Sequence, residues 1–189
     1  VNHDGVFNVR DYDDADWLVD VNGNGLHDPE DLIWGTFTDG TKCSDGVDDD
    51  DNGYTDDISG WDFFWNDNDA SDDSDFGHGT GEANDSTAEA DDDSGTPGVC
   101  PRCLVMPVRV GDSFITDSNH FADGTVFAVE SGASVVQEAL GTINATKYAQ
   151  AAIDWAYGKN VPIIASMADE TSYHHNPPAT LEHTFGVHA

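Results

Sequence analysis

Apolar residues are set out along this chain in two different patterns. From Val99 onward they form short runs and helical stripes, whereas residues 1–93 scatter them among Asp, Asn and Gly. Leu104-Val105-Met106-Pro107-Val108-Arg109-Val110 reads as a buried strand, a β-branched run after a Pro-containing turn. Phe121 to Ser131 places Phe121, Ala122, Thr125, Val126 and Val129 at helical spacing and ends before Gly132. Ser134 to Leu140 is a second strand, closed by Gly141. Tyr148 to Tyr157 is a second amphipathic helix, with Tyr148, Ala151, Ala152, Trp155 and Ala156 on one face and Gly158 as its stop. Val161 to Ser166 is a third strand. Strands alternating with helices in this way predict an α/β domain, a parallel sheet with helices on both faces.

Charge changes the picture of the first half. The 189 residues carry 38 Asp and Glu against 6 Lys and Arg, a formal net charge of -32. Such a field repels phosphate backbones and anionic lipid, which argues against nucleic-acid partners and polybasic-type membrane binding. No apolar run is long enough to span a bilayer, and no signal-peptide pattern is present. The acids crowd into residues 1–93, in short runs broken by Asn and Gly. Two readings follow: a solvating acidic surface, as high-salt or secreted proteins carry, or carboxylates spaced as cation ligands. Their placement favours the second, and the chain divides into an acidic calcium-loop region, residues 1–60, and an α/β part, residues 61–189.

The segment Asp20 to Asp31 fits a twelve-residue calcium loop. Asp20, Asn22, Asn24, Asp28 and Asp31 supply side-chain oxygens at the ligand positions, Gly25 takes the sharp turn, and Leu26 offers its carbonyl. A hard divalent ion wants about six to eight oxygens, and residues spaced by two point inward from a tight loop. Asp31 stands in place of the usual bidentate Glu, which lowers the expected affinity. Asn2 to Asp11 fits the same template from its third position, which predicts a first ligand before Val1 and a sequence that begins inside a longer chain. A third copy starts at Asp48, with Asp50, Asn52, the Tyr54 carbonyl and Asp56 in register. Here the dense Asp run also reads as a solvated acidic turn.

Cys43, Cys100 and Cys103 are an odd set for a chain whose loops suggest an extracellular setting. Cys100-Pro101-Arg102-Cys103 lacks a second Cys/His pair at ligand spacing, which sets a zinc site aside. It also follows no strand and opens no obvious helix, as a redox motif would. A local disulfide and a pair of small buried residues both remain open.

The chemistry concentrates at Gly77-His78-Gly79-Thr80. A histidine between two glycines at a loop-to-helix junction presents its imidazole without crowding. Together with the upstream Asn52-Gly53-Tyr54, Gly60-Trp61-Asp62-Phe63 and Asn66-Asp67-Asn68-Asp69, this motif resembles the active-site histidine region of subtilisin-like serine peptidases, the subtilases. The resemblance continues through Gly98 to Val110, Ala139-Leu140-Gly141 and Ala165 to Glu170, and covers roughly Gly46 to Ala189. It implies a subtilisin-like α/β fold, incomplete here, in which residues 61–189 are the central part of the peptidase domain. It implies a polypeptide substrate whose backbone pairs with Ala139, Leu140 and Gly141, with Met167 and Ala168 on an apolar wall. In the family's mechanism the histidine, here His78, takes a proton from the attacking serine hydroxyl, while an Asp orients its ring.

This chain departs from that pattern in three ways. No Asp-Ser/Thr-Gly strand precedes the histidine, and no Gly-Thr-Ser segment supplies a nucleophile, so the 189 residues alone are expected to be inactive. Glu82 lies four residues after His78, on the same face if a helix opens there, and could orient the imidazole or simply favour a helix N-terminus. Asp169 stands where subtilases place an oxyanion-binding Asn. An ionised Asp there repels the developing charge and a protonated one can donate, which predicts an acid-shifted optimum and resembles the sedolisins, acid-acting relatives. His174-His175-Asn176, His183 and His188 read as surface-loop and edge-strand residues. The leading expectation is a fragment of a secreted, calcium-stabilised serine endopeptidase. The competing one is a non-catalytic calcium-binding module that holds peptide by strand addition.

Overall fold

The computed structural model describes residues 18–21, 23, 25, 27, 29–42, 44–74, 76–88, 90, 95–168 and 176–188. In chain order the elements are α1 (Pro29–Trp34), β1 (Trp61–Asp62), α2 (His78–Thr87), β2 (Val108–Arg109), β3 (Ile115–Thr116), α3 (Ser118–Glu130), β4 (Val136–Glu138), β5 (Gly141–Thr142), α4 (Lys147–Gly158), β6 (Ile163–Ser166) and β7 (Thr184–Val187). They fall into two units, one of Val1–Trp61, Asp67–Ala70 and Thr80–Pro107, the other of Asp62–Asn66, Ser71–Gly79 and Val108–Ala189.

The second unit holds the α/β core. Strands β4, β6 and β7 form a parallel sheet in that order, with Val136 opposite Ile163 and Ile163 opposite Thr184. Two caps set where the long helices begin: Asp117 accepts the Asn119 N–H at 2.7 Å, and Thr146 accepts the Ala149 N–H at 3.1 Å. Each satisfies a backbone donor that the first helical turn leaves unpaired. Helix α3 therefore starts one turn before the expected Phe121. Phe121, Ala122, Ala149, Ala152, Ile153, Ala156 and Ile163 make the buried cluster, with Val136 and Leu140 packed against it. The small alanines let the two helices approach closely, and burying each large apolar side chain contributes about 1.5–3 kcal/mol.

Three expectations about these elements are corrected. The strand over Leu104–Val110 shrinks to Val108–Arg109, and Leu104 and Val105 are 65% and 54% exposed. Pro107, with no N–H to give, ends the pairing on its N-terminal side. Pro162 acts likewise in the third strand, which begins at Ile163, although its carbonyl still accepts the Val136 N–H at 3.0 Å. The buried face of α4 is Ala149, Ala152, Ile153 and Ala156, centred on the large apolar Ile153, which leaves Tyr148 and Ala151 exposed. Tyr148 instead hydrogen-bonds Asp123 of α3 at 2.5 Å.

In the first unit, Leu18 bridges Phe37 and Thr36 bridges Lys42, both antiparallel. The last turn of α2 is closed by the chain coming back: Val99 N–H donates to Asp85 O at 3.1 Å and Cys100 N–H to Ser86 O at 2.8 Å. Cys100 and Cys103 form a disulfide, the first of the two outcomes left open for that pair.

Candidate active site

His78 is the first residue of α2, and Gly77 before it has φ +65°, a left-handed turn that a side chain would strain. A Cβ at Gly77 or at Gly79 would lie 4.0 Å from the Asp72 Oδ2, so a carboxylate faces the first turn of this helix. Negative charge is favoured there by the unpaired N–H groups. The half-buried imidazole packs beside two aromatic rings that also touch each other. Phe114 meets it edge-on with centroids 4.8 Å apart, and Phe76 lies at 6.2 Å. Five residues before His78, Asp73 pairs with Arg109 at 2.5 Å, and Arg109 also pairs with the fully buried Asp62 at 2.9 Å and with Asp112.

Phe114 also reaches the predicted peptide edge. Its carbonyl accepts the Gly141 N–H at 2.7 Å, so one residue touches both the candidate base and the Ala139-Leu140-Gly141 segment. That edge is consequently not bare: β3 pairs with β5 in parallel, Ile115 opposite Gly141. Leu140 is held from the other side. Its N–H donates to Glu138 Oε2 at 2.9 Å, and its carbonyl lies 3.5 Å from Asn176 Nδ2, which also donates to Ser166 O at 2.7 Å. Gly141 is required by this contact, since a Cβ there would fall 2.2 Å from Asn176 Oδ1.

Met167 and Ala168 follow β6 directly. Met167 N–H donates to Val187 O at 2.8 Å, and its thioether lies over Gly186. Ala168 has φ +67°, a left-handed conformation uncommon for a residue with a Cβ. Glu82 is half-buried one helical turn after His78. Asp169, the third candidate catalytic residue, lies outside the described residues.

Glu138 is the group the sequence reading passed over. It is 8% exposed, Oε1 has no hydrogen-bond partner, and burial pushes its pKa up to about 8 against the opposing pull of the Leu140 N–H. A lone acid inside an apolar strand was the available signal. Asn176, read as surface loop, is half-buried and tied to two strand ends. His183 stands just before β7, 3.0 Å from Asp154 and stacked on Tyr157.

Of the calcium-loop residues, Asn22, Asn24, Leu26 and Asp28 lie outside the described set, as do Asn2 to Asp11. Asp20 accepts the Gly23 and Gly25 N–H groups, and the buried Asp31 accepts Val21 N–H at 2.8 Å. In the third loop Asp48 accepts Asn52 and Gly53 N–H, Asp50 accepts Asn52 N–H, and Asn52 accepts Tyr54 N–H. Asp56 accepts the Asp45 and Gly46 N–H groups, and Asp49, Asp50, Asp56 and Asp57 share a hollow of about 140 Å³. These are hard oxygen donors with lone pairs left over. Among the described residues, however, no three His, Cys, Asp or Glu side chains converge as a metal site would require.

The parallel sheet packed against helices is an α/β fold of the subtilisin type. Residues 18–189 match the model of the Subtilase family, peptidase S8, and the chain belongs to that family. It is 28% identical over 131 residues to thermitase of Thermoactinomyces vulgaris, covering 69% of this chain and 46% of that protein. It is 30% identical over 136 residues to the thermophilic serine proteinase of Bacillus sp. (strain AK1), covering 70% and 33%. The chain thus spans less than half the length of these curated relatives. The S218A mutant of the protease domain of PatA is similar in fold, with a TM-score of 0.52 at 21% identity, covering 63% of this chain and 45% of that one.

Proposed function

We propose that this chain is the histidine-bearing part of a secreted serine endopeptidase, with His78 as general base toward a serine hydroxyl. The observation that carries the reading is the placement of Phe114, in contact with the His78 ring and hydrogen-bonded to Gly141. A peptide laid along Ala139–Gly141 would bring its carbonyl toward the imidazole side of that strip. The hydroxyl proton would pass to the imidazole as the oxygen attacks, and then to the leaving amine. Glu82 is proposed to orient or charge-stabilise the ring, Asp169 to bind the oxyanion in its protonated form, and Met167 and Ala168 to line the wall beside the substrate. The acidic region 1–60 is proposed as an extension on the peptidase part 61–189. Calcium is its proposed ligand, held by the Asp20–Asp31 and Asp48–Asp56 loops.

The 189 residues contain no candidate activated serine, so this chain alone is expected not to cleave peptides. The test is hydrolysis of a blocked tetrapeptide anilide by the gene product that includes these residues, against the 189-residue chain and a His78→Ala variant. The reading expects turnover only in the first, with the variant down by about a million-fold. Turnover by His78→Ala at the native rate overturns it. A gene product that binds peptide but turns over none favours the non-catalytic module.

A further inference from the structure

Backbone polar groups alternate in direction along a strand, so fixing one residue aims its neighbours. Leu140 has both of its groups directed inward, its N–H to Glu138 Oε2 and its carbonyl toward Asn176 Nδ2. Gly141 points the other way, with its N–H spent on the carbonyl of Phe114, just before β3. With the Gly141 N–H already taken by Phe114, the outward groups of Ala139 are the ones a peptide strand would meet. Their aim depends on how firmly Leu140 is turned in. Asn176 is the weaker partner at 3.5 Å; Glu138 is the stronger at 2.9 Å.

Glu138 is an unusual choice for this task. A Gln would accept the same N–H with no ionisable proton. As an acid, it buries an unpartnered Oε1 in a residue only 8% exposed. Ionisation would place in that site a charge met by the Leu140 N–H alone, too little to offset its burial, which drives the carboxylate toward water and away from Leu140. We infer that Glu138 is a positioning residue for the peptide-pairing edge, holding Leu140 inward while protonated and releasing it when ionised. This assignment rests on the peptidase reading for the identity of the edge.

The charged surroundings support it. Strand β4 packs on β6 and α3. Strands β6 and β7 carry no titratable side chain. On α3, Asp123 is held by the Tyr148 hydroxyl, His120 lies against Phe64, and Glu130 is solvent-exposed. Among the described residues, burial dominates the upward shift of Glu138 to about 8, opposed only by the Leu140 bond. The segment 169–175 adds Asp169, Glu170, His174 and His175 to the titrating groups of this chain, so the variant must assign the titration.

The experiment follows the Leu140 amide by NMR in ¹⁵N-leucine-labelled protein from pH 5 to 10, for the native chain, Glu138→Gln and Glu138→Leu. Binding of acetyl-tetraalanine amide is measured on the same samples. The native Leu140 amide should titrate with a midpoint near 8, and this transition should vanish in Glu138→Gln. Native affinity for the peptide should fall roughly 3- to 10-fold across that interval. Glu138→Gln should hold its affinity throughout, while Glu138→Leu, lacking an acceptor, should be weak at every pH. A Leu140 amide that does not titrate, or two variants that bind alike, overturns the assignment. Absence of peptide binding in all three proteins overturns the peptidase reading and the peptide half of the inference. The Leu140 titration then still decides whether Glu138 holds the edge.

Discussion

The ring of Phe114 stands edge-on to that of His78, and the same residue's carbonyl takes the Gly141 N–H. Position 114 thereby sets the imidazole through its side chain and the strand edge through its backbone. Phe114→Ala separates the two, since alanine keeps the carbonyl. Aromatic pairs of this geometry are worth about 0.5–1.5 kcal/mol, and the ring is 49% exposed, so the loss of stability should be small. In the proposed peptidase, kcat should drop about 2- to 10-fold through a less constrained His78, with KM nearly unchanged. Kinetics on a blocked peptide, with a thermal melt alongside, check this; a change in KM alone would place Phe114 in substrate binding instead.

Arg109 predicts a larger effect. It neutralises Asp62, which is fully buried and also accepts the Phe64 and Trp65 N–H groups at 2.6 and 3.0 Å. Arg109→Met leaves that carboxylate without its counter-ion and releases Asp73 from its ion pair. Urea denaturation should register a loss of about 3–5 kcal/mol. Arg109→Met combined with Asp62→Asn should recover part of it, because the buried charge is gone. Equal losses in the single and double variants would mean that the guanidinium's contact with the Phe64 ring matters more than its pairing with Asp62.

Glu138 gives a pH dependence of stability with a definite sign. Burial raises its pKa in the folded protein from 4.5 to about 8, so between these values the folded state keeps a proton that the unfolded chain has released. Its stability is intact below about pH 4.5, declines as pH rises through the window, and levels off above about 8. The whole swing is on the order of 5 kcal/mol. Glu138→Gln should match the native protein near pH 4 and exceed it in melting temperature at pH 8. Parallel curves for the two proteins from pH 4 to 9 would contradict the burial of this acid.

How much of this could be read in the residues depends on range. The order of strands and helices after Val99 was legible because periodicity and glycine stops are local properties. Strand lengths were not, since Pro107 and Pro162 trim the pairing in ways that apolar runs do not register. The helix opened at His78 was legible from Gly77-His78-Gly79. What surrounds that ring was not, because Phe114 arrives from a segment whose own composition is unremarkable. Glu138 shows the same division: its identity is local, whereas its burial depends on β6 and α3 covering β4. Asn176 stands in a stretch with no ligand spacing and reads as loop, since its two strand-end contacts exist only once β5 and β6 are folded.

Calcium is the last prediction, and its test must separate binding from screening. With a net charge of -32, any added cation relieves self-repulsion, so a rise in melting temperature alone proves little. The loops make a narrower claim. Asp20 and Asp48 are each pinned by two backbone N–H groups with oxygen lone pairs to spare, and calcium would gather further oxygens around them. Titration calorimetry should therefore find roughly one to three saturable calcium sites. Asp20→Ala with Asp28→Ala should remove one of them, and magnesium at the same ionic strength should not substitute. At a free calcium level a hundred times Kd, each site should add about 2.7 kcal/mol of stability. Equal stabilisation by calcium and magnesium, with no saturable heat, would reduce the acidic half to a solvating surface.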